Sequence, residues 1–458
     1  MRKIVVLLCS LVISTSLSAQ LPLDFDECVD LMSVVWRLAG ADEYQRCSVT
    51  PYIEEVDRYF SPFAEHPAVQ LAKKYSNNNV GYDAVAVYGA HLDVDGNGNV
   101  VFDDTLIRDF DSRWSESMQF EFLETLNSFY KESDFRKWFD STKQVREESI
   151  QAFSAISSSI DMDWYGRFFN PDGADFRITL CILAGQNNYG VSLKTKDGKF
   201  LLSPVISCAS YGDGKISYDA NMVLPIVVHE FCHAYCNSLI DANWNEISDM
   251  AGELYKLNRK TLVRQAYSSP VIMMYETFVR SCVIRYMIDH FREKVSVGAL
   301  IKEEEDRGFS LARTMVEKLT GYEREKEKYP RMESFMPELV NAINCFDVSG
   351  YKKTMREAKR NRIHYTCNIR NGSKNIPAGE FTVKIKFDRP MTGSVALAMT
   401  EKDFPRFKDY SWSDDMRTLS IIFLFEEKHP YGFFINGDGF RSKDGYASIS
   451  KKINFSTR

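Results

Sequence analysis

From Met222 to Cys236 the chain is apolar except at His229, Glu230 and His233. The segment from Asn221 to Ile240 is long enough for about five helical turns, and residues four apart on a helix stack on one face. The two imidazoles therefore stand side by side, with Glu230 flanking them. Burying two imidazoles and a carboxylate without partners is costly. A metal ion held by both histidines is the simplest partner; a plain hydrogen-bonded pair in the core is the alternative. With a metal, Glu230 would reach a water on the ion, the arrangement that attacks a carbonyl at neutral pH. The chain has 7 His in 458 residues, so H-E-x-x-H at this spacing is informative. Pro225 is tolerated in a first turn, which predicts a helix over 223–240 starting near Val223 or Leu224.

Two histidines and a water leave a tetrahedral zinc site one protein ligand short. Glu246, Asp249, Glu253 and Glu276 follow the motif. Glu276 is the favoured candidate. It lies in a largely apolar stretch that Pro270 can open as a helix over 270–286, where a carboxylate needs a partner. Arg280, four residues on, can supply one, alone or together with the metal. Asn237, one turn beyond His233, is either its hydrogen-bond partner or a C-terminal cap of the motif helix. Tyr267 and Tyr275 are candidates for the donor that steadies an oxyanion.

The motif followed by a helical glutamate resembles the gluzincin branch of the zincin-fold metallopeptidases. Glu253, the alternative ligand, stands nearer the spacing of the shortest-spaced members. Asp249 would suit an aspartate-ligand variant, but the Gly-Thr that accompanies it there is missing. More narrowly, His229 through Asn237 with Tyr275, Glu276 and Arg280 resembles a bacterial domain of unknown function, number 4932, grouped with the zincins and found in secreted proteins. Asp30-Leu31-Met32, Arg37 to Gly40 and Glu43-Tyr44 resemble its opening helix, and Asn188-Tyr189-Gly190 the segment ahead of its active helix. The resemblance covers about residues 24 to 340. It implies a zincin fold and zinc, and names no substrate. It also implies a small sheet ahead of the active helix whose edge strand pairs with an extended substrate.

Net charge is −6 with no basic block, which argues against a nucleic-acid partner. Lys302 to Asp306 and Arg324 to Lys328 read as solvated helix faces. Residues 1–19 read as a signal peptide: Arg2 and Lys3 precede an apolar stretch from Ile4 to Thr15, then Ser18-Ala19 before Gln20. No later segment reads as apolar enough to span a membrane, so a periplasmic or secreted protein is expected. Nine cysteines follow the leader; Cys28 and Cys47 are the expected bridge, and Cys232 and Cys236 read as small packing residues.

The expected fold class is α+β: a mainly helical zincin-like domain over 20–363 with a small β-sheet, then an all-β immunoglobulin-like sandwich over 364–458. Helices are predicted within 24–170, at Cys28–Leu38, Pro51–Tyr59, Pro67–Tyr75, Thr105–Tyr130, Ser133–Phe139 and Val145–Phe169, and strands within 176–208. Asp93, Asp95, Asn97 and Asp104 match part of an EF-hand calcium loop, but a Gly/Asn-rich turn is the preferred reading. Phe387 to Met391 and Tyr431 to Gly437 resemble bacterial immunoglobulin-like modules, which implies a spacer or docking piece with a cell-surface or glycan partner. The expected function is a secreted zinc metallopeptidase acting on peptides or proteins. A non-catalytic binding protein on the same scaffold and a zinc hydrolase of cell-wall or glycan linkages are the alternatives.

Overall fold

The structure, a computed structural model, describes residues 21–169, 174–293 and 296–458. The leader read at 1–19 lies outside them. The protein is mixed α+β, about half helical, with several small sheets. It divides into two compact units, the first ending at Cys345 and the second running from Phe346 to Arg458. The helix Val348–Arg360 therefore goes with the second unit, ahead of the boundary expected at 363/364.

In the first unit the helices Glu27–Leu38, Thr50–Phe60 and Pro67–Ser76 fall where apolar spacing and the prolines predict them. The expected helix from Thr105 begins only at Glu116. Arg113 explains the delay: it bonds Asp111, Asp83 and the Gly81 carbonyl, which ties down the preceding loop, and Ser115 then caps the helix. The stretch 145–169 is two helices, Lys143–Ser157 and Met162–Phe169. Ser158 and Ser159 turn their hydroxyls onto backbone carbonyls at the break, the competition that makes serine a poor helix residue.

Two three-stranded sheets precede the motif helix. Leu23–Phe25, Ile178–Leu180 and Val205–Ile206 pair in parallel; Ala174–Phe176, Phe200–Leu202 and Ser192–Lys194 form the other. Residues 92–102 form a β-hairpin: Asp95 accepts from the N–H groups of Asn97 and Asn99 and from the Asn99 amide, and Gly98 takes a φ of +73°. The Asp95 carboxylate thus serves the turn.

The motif helix runs Ala220–Ala242, capped by Asp219. It starts earlier than expected, so Pro225 lies inside it. The cost is one missing N–H in the ladder, which frees the Asn221 carbonyl where Ala220, Asn221 and Met222 are exposed to solvent. By length and composition this helix also passes for a membrane span, contrary to the expectation above; half of that window is buried inside the protein, as in the core helix of a folded domain.

The described cysteines are all free, including Cys28 and Cys47. Cys28 is in the first turn of Glu27–Leu38, while Cys47 sits within the electrostatic reach of Arg37 in the last. The two thiols thus face different charged neighbours, and the expected bridge is not formed. Cys232 and Cys236 are fully buried, with Cys236 Sγ 3.8 Å from Cys282 Sγ.

Asp30, also on that first helix, is 1% exposed, and one carboxyl oxygen has no hydrogen-bond partner. Burial raises its pKa from 3.8 to about 7, against the pull of Arg146 and the nearby Cys181 thiol. Because the folded value exceeds the unfolded one, its contribution to stability is complete below about pH 4 and lost as pH rises through 7. Asp30→Asn should therefore flatten the pH dependence and stabilise the protein at pH 8 relative to wild type, by up to roughly 3–4 kcal/mol. Thermal melts of both proteins at pH 5 and pH 8 check this; an unchanged slope would refute it.

The second unit has two four-stranded sheets. One orders Tyr365–Cys367, Gly379–Phe387, Thr418–Phe425 and Arg406–Trp412; the other Ser373–Ile376, Lys451–Thr457, Pro430–Ile435 and Leu397–Ala398, with its first pair parallel. Strict alternation along Thr418–Phe425 buries Leu419, Ile421, Phe423 and Phe425, which meet Val383, Ile385, Phe433 and Ile453 in one core.

Candidate metal centre

The motif helix buries Val223, Val227, Val228, Phe231, Cys232 and Cys236 and presents Ile226, His229, Glu230, His233 and Asn237 to a large cleft of about 2060 Å³. The helix Pro270–Phe291, started by Pro270 and capped by the Ser269 hydroxyl, packs beside it and brings Glu276 to the histidines. His229 Nε2 and His233 Nε2 are 3.0 Å apart; Glu276 Oε2 is 3.6 Å from the first and Oε1 3.5 Å from the second. Among the described residues this is the group of three histidine, cysteine or acidic side chains whose ligand atoms lie within 4.8 Å of one another. A tetrahedron with zinc arms of about 2.0–2.1 Å has edges of about 3.3 Å. The donor set and its edges fit such an ion, and two ring nitrogens at 3.0 Å need a proton or a cation between them.

Glu276 is 8% exposed and Arg280 9%. Arg280 Nε donates to Glu276 Oε2 at 3.0 Å, its Nη2 to the Tyr267 hydroxyl at 2.8 Å, and its Nη1 to Glu304 at 3.3 Å, with Phe309 stacked 4.7 Å from the guanidinium. Burial works to raise the Glu276 carboxyl, but the imidazoles of His229 and His233 beside it and the charge of Arg280 hold it well below the usual carboxylate range. Burial and the neighbouring charge of His233 keep His229 neutral, whereas Glu276 pushes His233 up to about 9 against its burial. The metal-free pair thus shares one proton.

Asn237 Oδ1 lies 3.1 Å from His233 Nδ1 and, as an acceptor, places the proton there and frees Nε2. It lies inside the helix; the cap is Asn243. Glu230 follows His229 into the cleft. Its carboxylate has no hydrogen-bond partner among the described residues, and burial raises it to about 7. Both tyrosines line the cleft, but the Tyr275 hydroxyl is bound to Asp241. Glu246, Asp249 and Glu253 are exposed on Trp244–Val263 and line no part of the cleft.

Two features were not legible as parts of the site. Glu304 belongs to a charge run read as a solvated face, yet its side chain is 14% exposed and pairs with Arg280 and Arg307. Its helical offset from Ile301 and Leu300 was the available signal. The other is how close Gly190 comes: a Cβ there would lie 3.1 Å from the Glu230 carbonyl, 3.3 Å from Glu230 Oε2 and 3.3 Å from His233 Cβ. Tyr189 pairs with Val205, and Val191 accepts from Ser203, so Gly190 points its backbone the other way. Neither its N–H nor its C=O has a partner among the described residues. Gly190→Ala should push Glu230 and His233 by a few tenths of an ångström and lower any hydrolytic activity about tenfold or more, with little change in melting temperature; a variant with wild-type turnover would show that the gap is not needed.

The chain matches the family described as Domain of unknown function (DUF4932) over residues 22–342. It belongs to that family. The DUF4932 match takes in the motif helix, Glu276 and Arg280, and ends just before the boundary at Cys345. No curated protein matches. Among solved structures, surface layer protein SbsC, domains 1–6, is 12% identical, covering 55% of this chain and 35% of its own, with a TM-score of 0.17. The N-terminal part of the bacterial S-layer protein SbsC is 12% identical, covering 54% and 59%, with the same score of 0.17. The chain thus spans about a third of the first and somewhat less than two thirds of the second, and at such scores the likeness carries no argument about this fold.

Proposed function

We propose that the protein is a zinc-dependent metallopeptidase of zincin type, secreted or periplasmic, whose second unit is an immunoglobulin-like spacer. The observation that carries this is the convergence of His229, His233 and Glu276 beside an unpartnered Glu230. The order of elements supports the zincin reading: small sheets, then the motif helix, then a helix carrying the acidic ligand. Zinc, when bound by these three side chains, supplies Lewis acidity to the substrate carbonyl and its attacking water.

The chain's own residues do the rest. The Gly190 N–H and C=O pair with the backbone of an extended peptide. Glu230 takes a proton from the attacking water and returns it to the departing amine nitrogen. Tyr267, whose oxygen accepts from Arg280, has its own proton free for the carbonyl oxygen as charge develops there. Arg280 and Asn237 hold Glu276 and His233 in register.

The test is direct. Full-length protein loaded with zinc, dialysed and analysed should hold one zinc per chain and cleave members of a peptide library; protein that binds no zinc would sink the reading. Removing the metal with a chelator should also lower stability, by about 2.7 kcal/mol when free zinc had stood at a hundred times its dissociation constant. A melting curve indifferent to chelator would count against an ion at this site.

A further inference from the structure

Glu43 has no part in that chemistry, yet it lines the same cleft. It lies in the short turn Asp42–Tyr44 and is 6% exposed. Its Oε1 accepts the Tyr82 N–H at 3.2 Å; among the described residues Oε2 accepts nothing, and no cationic side chain pairs with it. A buried carboxylate left half satisfied on the wall of a cleft calls for a partner that arrives from outside.

Its surroundings define that partner's charge. Asp83 and Asp111, also in the cleft wall, share the single guanidinium of Arg113. Three carboxylates therefore face one fixed cation. Tyr82 stands between Glu43 and Asp83 with its side chain turned out, 48% exposed and lining the cleft, on a backbone at φ +56° held by the bond to Glu43. An aromatic face beside carboxylates suits an ammonium or guanidinium group. The Glu43 carbonyl accepts from the Asn187 amide at 3.1 Å, so this turn is tied to the segment that leads to Gly190.

We propose that Glu43, Tyr82 and Asp83 form a subsite for a cationic group of a peptide lying along Gly190. This rests on the reading of the cleft as a peptide cleft. The cation is either a lysine or arginine side chain or the peptide's α-amine.

Binding tests it without hydrolysis. Zinc-loaded full-length protein carrying Glu230→Gln is titrated with fluorescent peptides identical except for one residue, lysine, glutamine or glutamate, each with a free and an acetylated N-terminus. Lysine peptides, or all free-amine peptides, should bind about tenfold tighter than their counterparts. An advantage that survives acetylation assigns the side chain; one abolished by acetylation assigns the α-amine. Adding Glu43→Gln should bring the affinities near parity. Asp83→Asn, at a half-exposed position, should reduce the advantage if Glu43→Gln folds poorly by its melting curve. Equal affinities throughout, a preference for glutamate, no binding of any peptide, or an advantage unchanged in both variants would overturn the subsite. Wild-type protein that binds cationic peptides selectively but never cleaves them would overturn only the hydrolytic reading.

Discussion

Replacing Glu230 by glutamine is expected to leave one zinc per chain and to lower peptide hydrolysis by about 10²- to 10⁴-fold. The split between the two readouts follows from geometry. Glu230 is next to His229 in sequence but contributes no atom to the group of three ligands, so its amide takes nothing from the metal. It occupies nearly the same volume as the carboxylate, which matters because Gly190 lies so near that a Cβ there would stand 3.3 Å from Oε2. What the substitution removes is an acceptor for the water's proton in a buried position that already holds that proton readily. The measurement is metal content and turnover on the same preparation. Unchanged turnover would take the role of base away from Glu230, while loss of metal would show that the carboxylate serves the ion instead.

Glu276→Ala is expected to do two things at once. Zinc stoichiometry should fall to near zero, since two imidazoles and solvent remain. Stability should drop by about 3–5 kcal/mol, because Arg280 is then a buried guanidinium that has lost its nearest carboxylate. Glu304, at 3.3 Å, keeps a share of the pairing and places the loss toward the lower figure. Glu276→Gln separates the effects: it preserves shape and some hydrogen bonding to Arg280 but makes a poor ligand. Chemical denaturation of the three metal-free proteins, with Glu276→Ala/Arg280→Met as a fourth, reads out the electrostatic part. Should Glu276→Ala melt like wild type in the absence of metal, the buried pair would be contributing nothing.

The motif helix was legible because its apolar positions and its two histidines obey one period, and Glu276 stood out as a carboxylate in an apolar stretch with Arg280 one turn away. What could not be read was anything settled by non-local pairing. Leu23–Phe25 is a three-residue strand with no signal of its own; it exists because Ile178–Leu180 lies beside it. The loop before Glu116 reads as helix in sequence and is held open by Arg113 bonded to residues some thirty positions earlier. Glu304 looked like one more charge in a charged run, and only the fold turns it toward Arg280. Pro225 misled in the opposite direction: a local rule placed the helix start just before the proline, at Val223 or Leu224, whereas the Asp219 cap starts it at Ala220 and the helix runs through the proline.

Gly190 has a consequence for the protein's behaviour in concentrated solution. Backbone groups left open along an edge will receive any strand, including one from a neighbouring molecule, and exposed sheet edges are where chains template one another into aggregates. Here the opening amounts to Gly190 and Ser192, which alternate with Val191 and Leu193 bonded into their own sheet, before Ile107 takes the Lys194 carbonyl; Gly190 lies against the motif helix. A neighbour could gain only a few hydrogen bonds there, too few to offset the entropy of holding two chains together. The brevity of the edge leaves the cleft open while denying it the length that self-association needs.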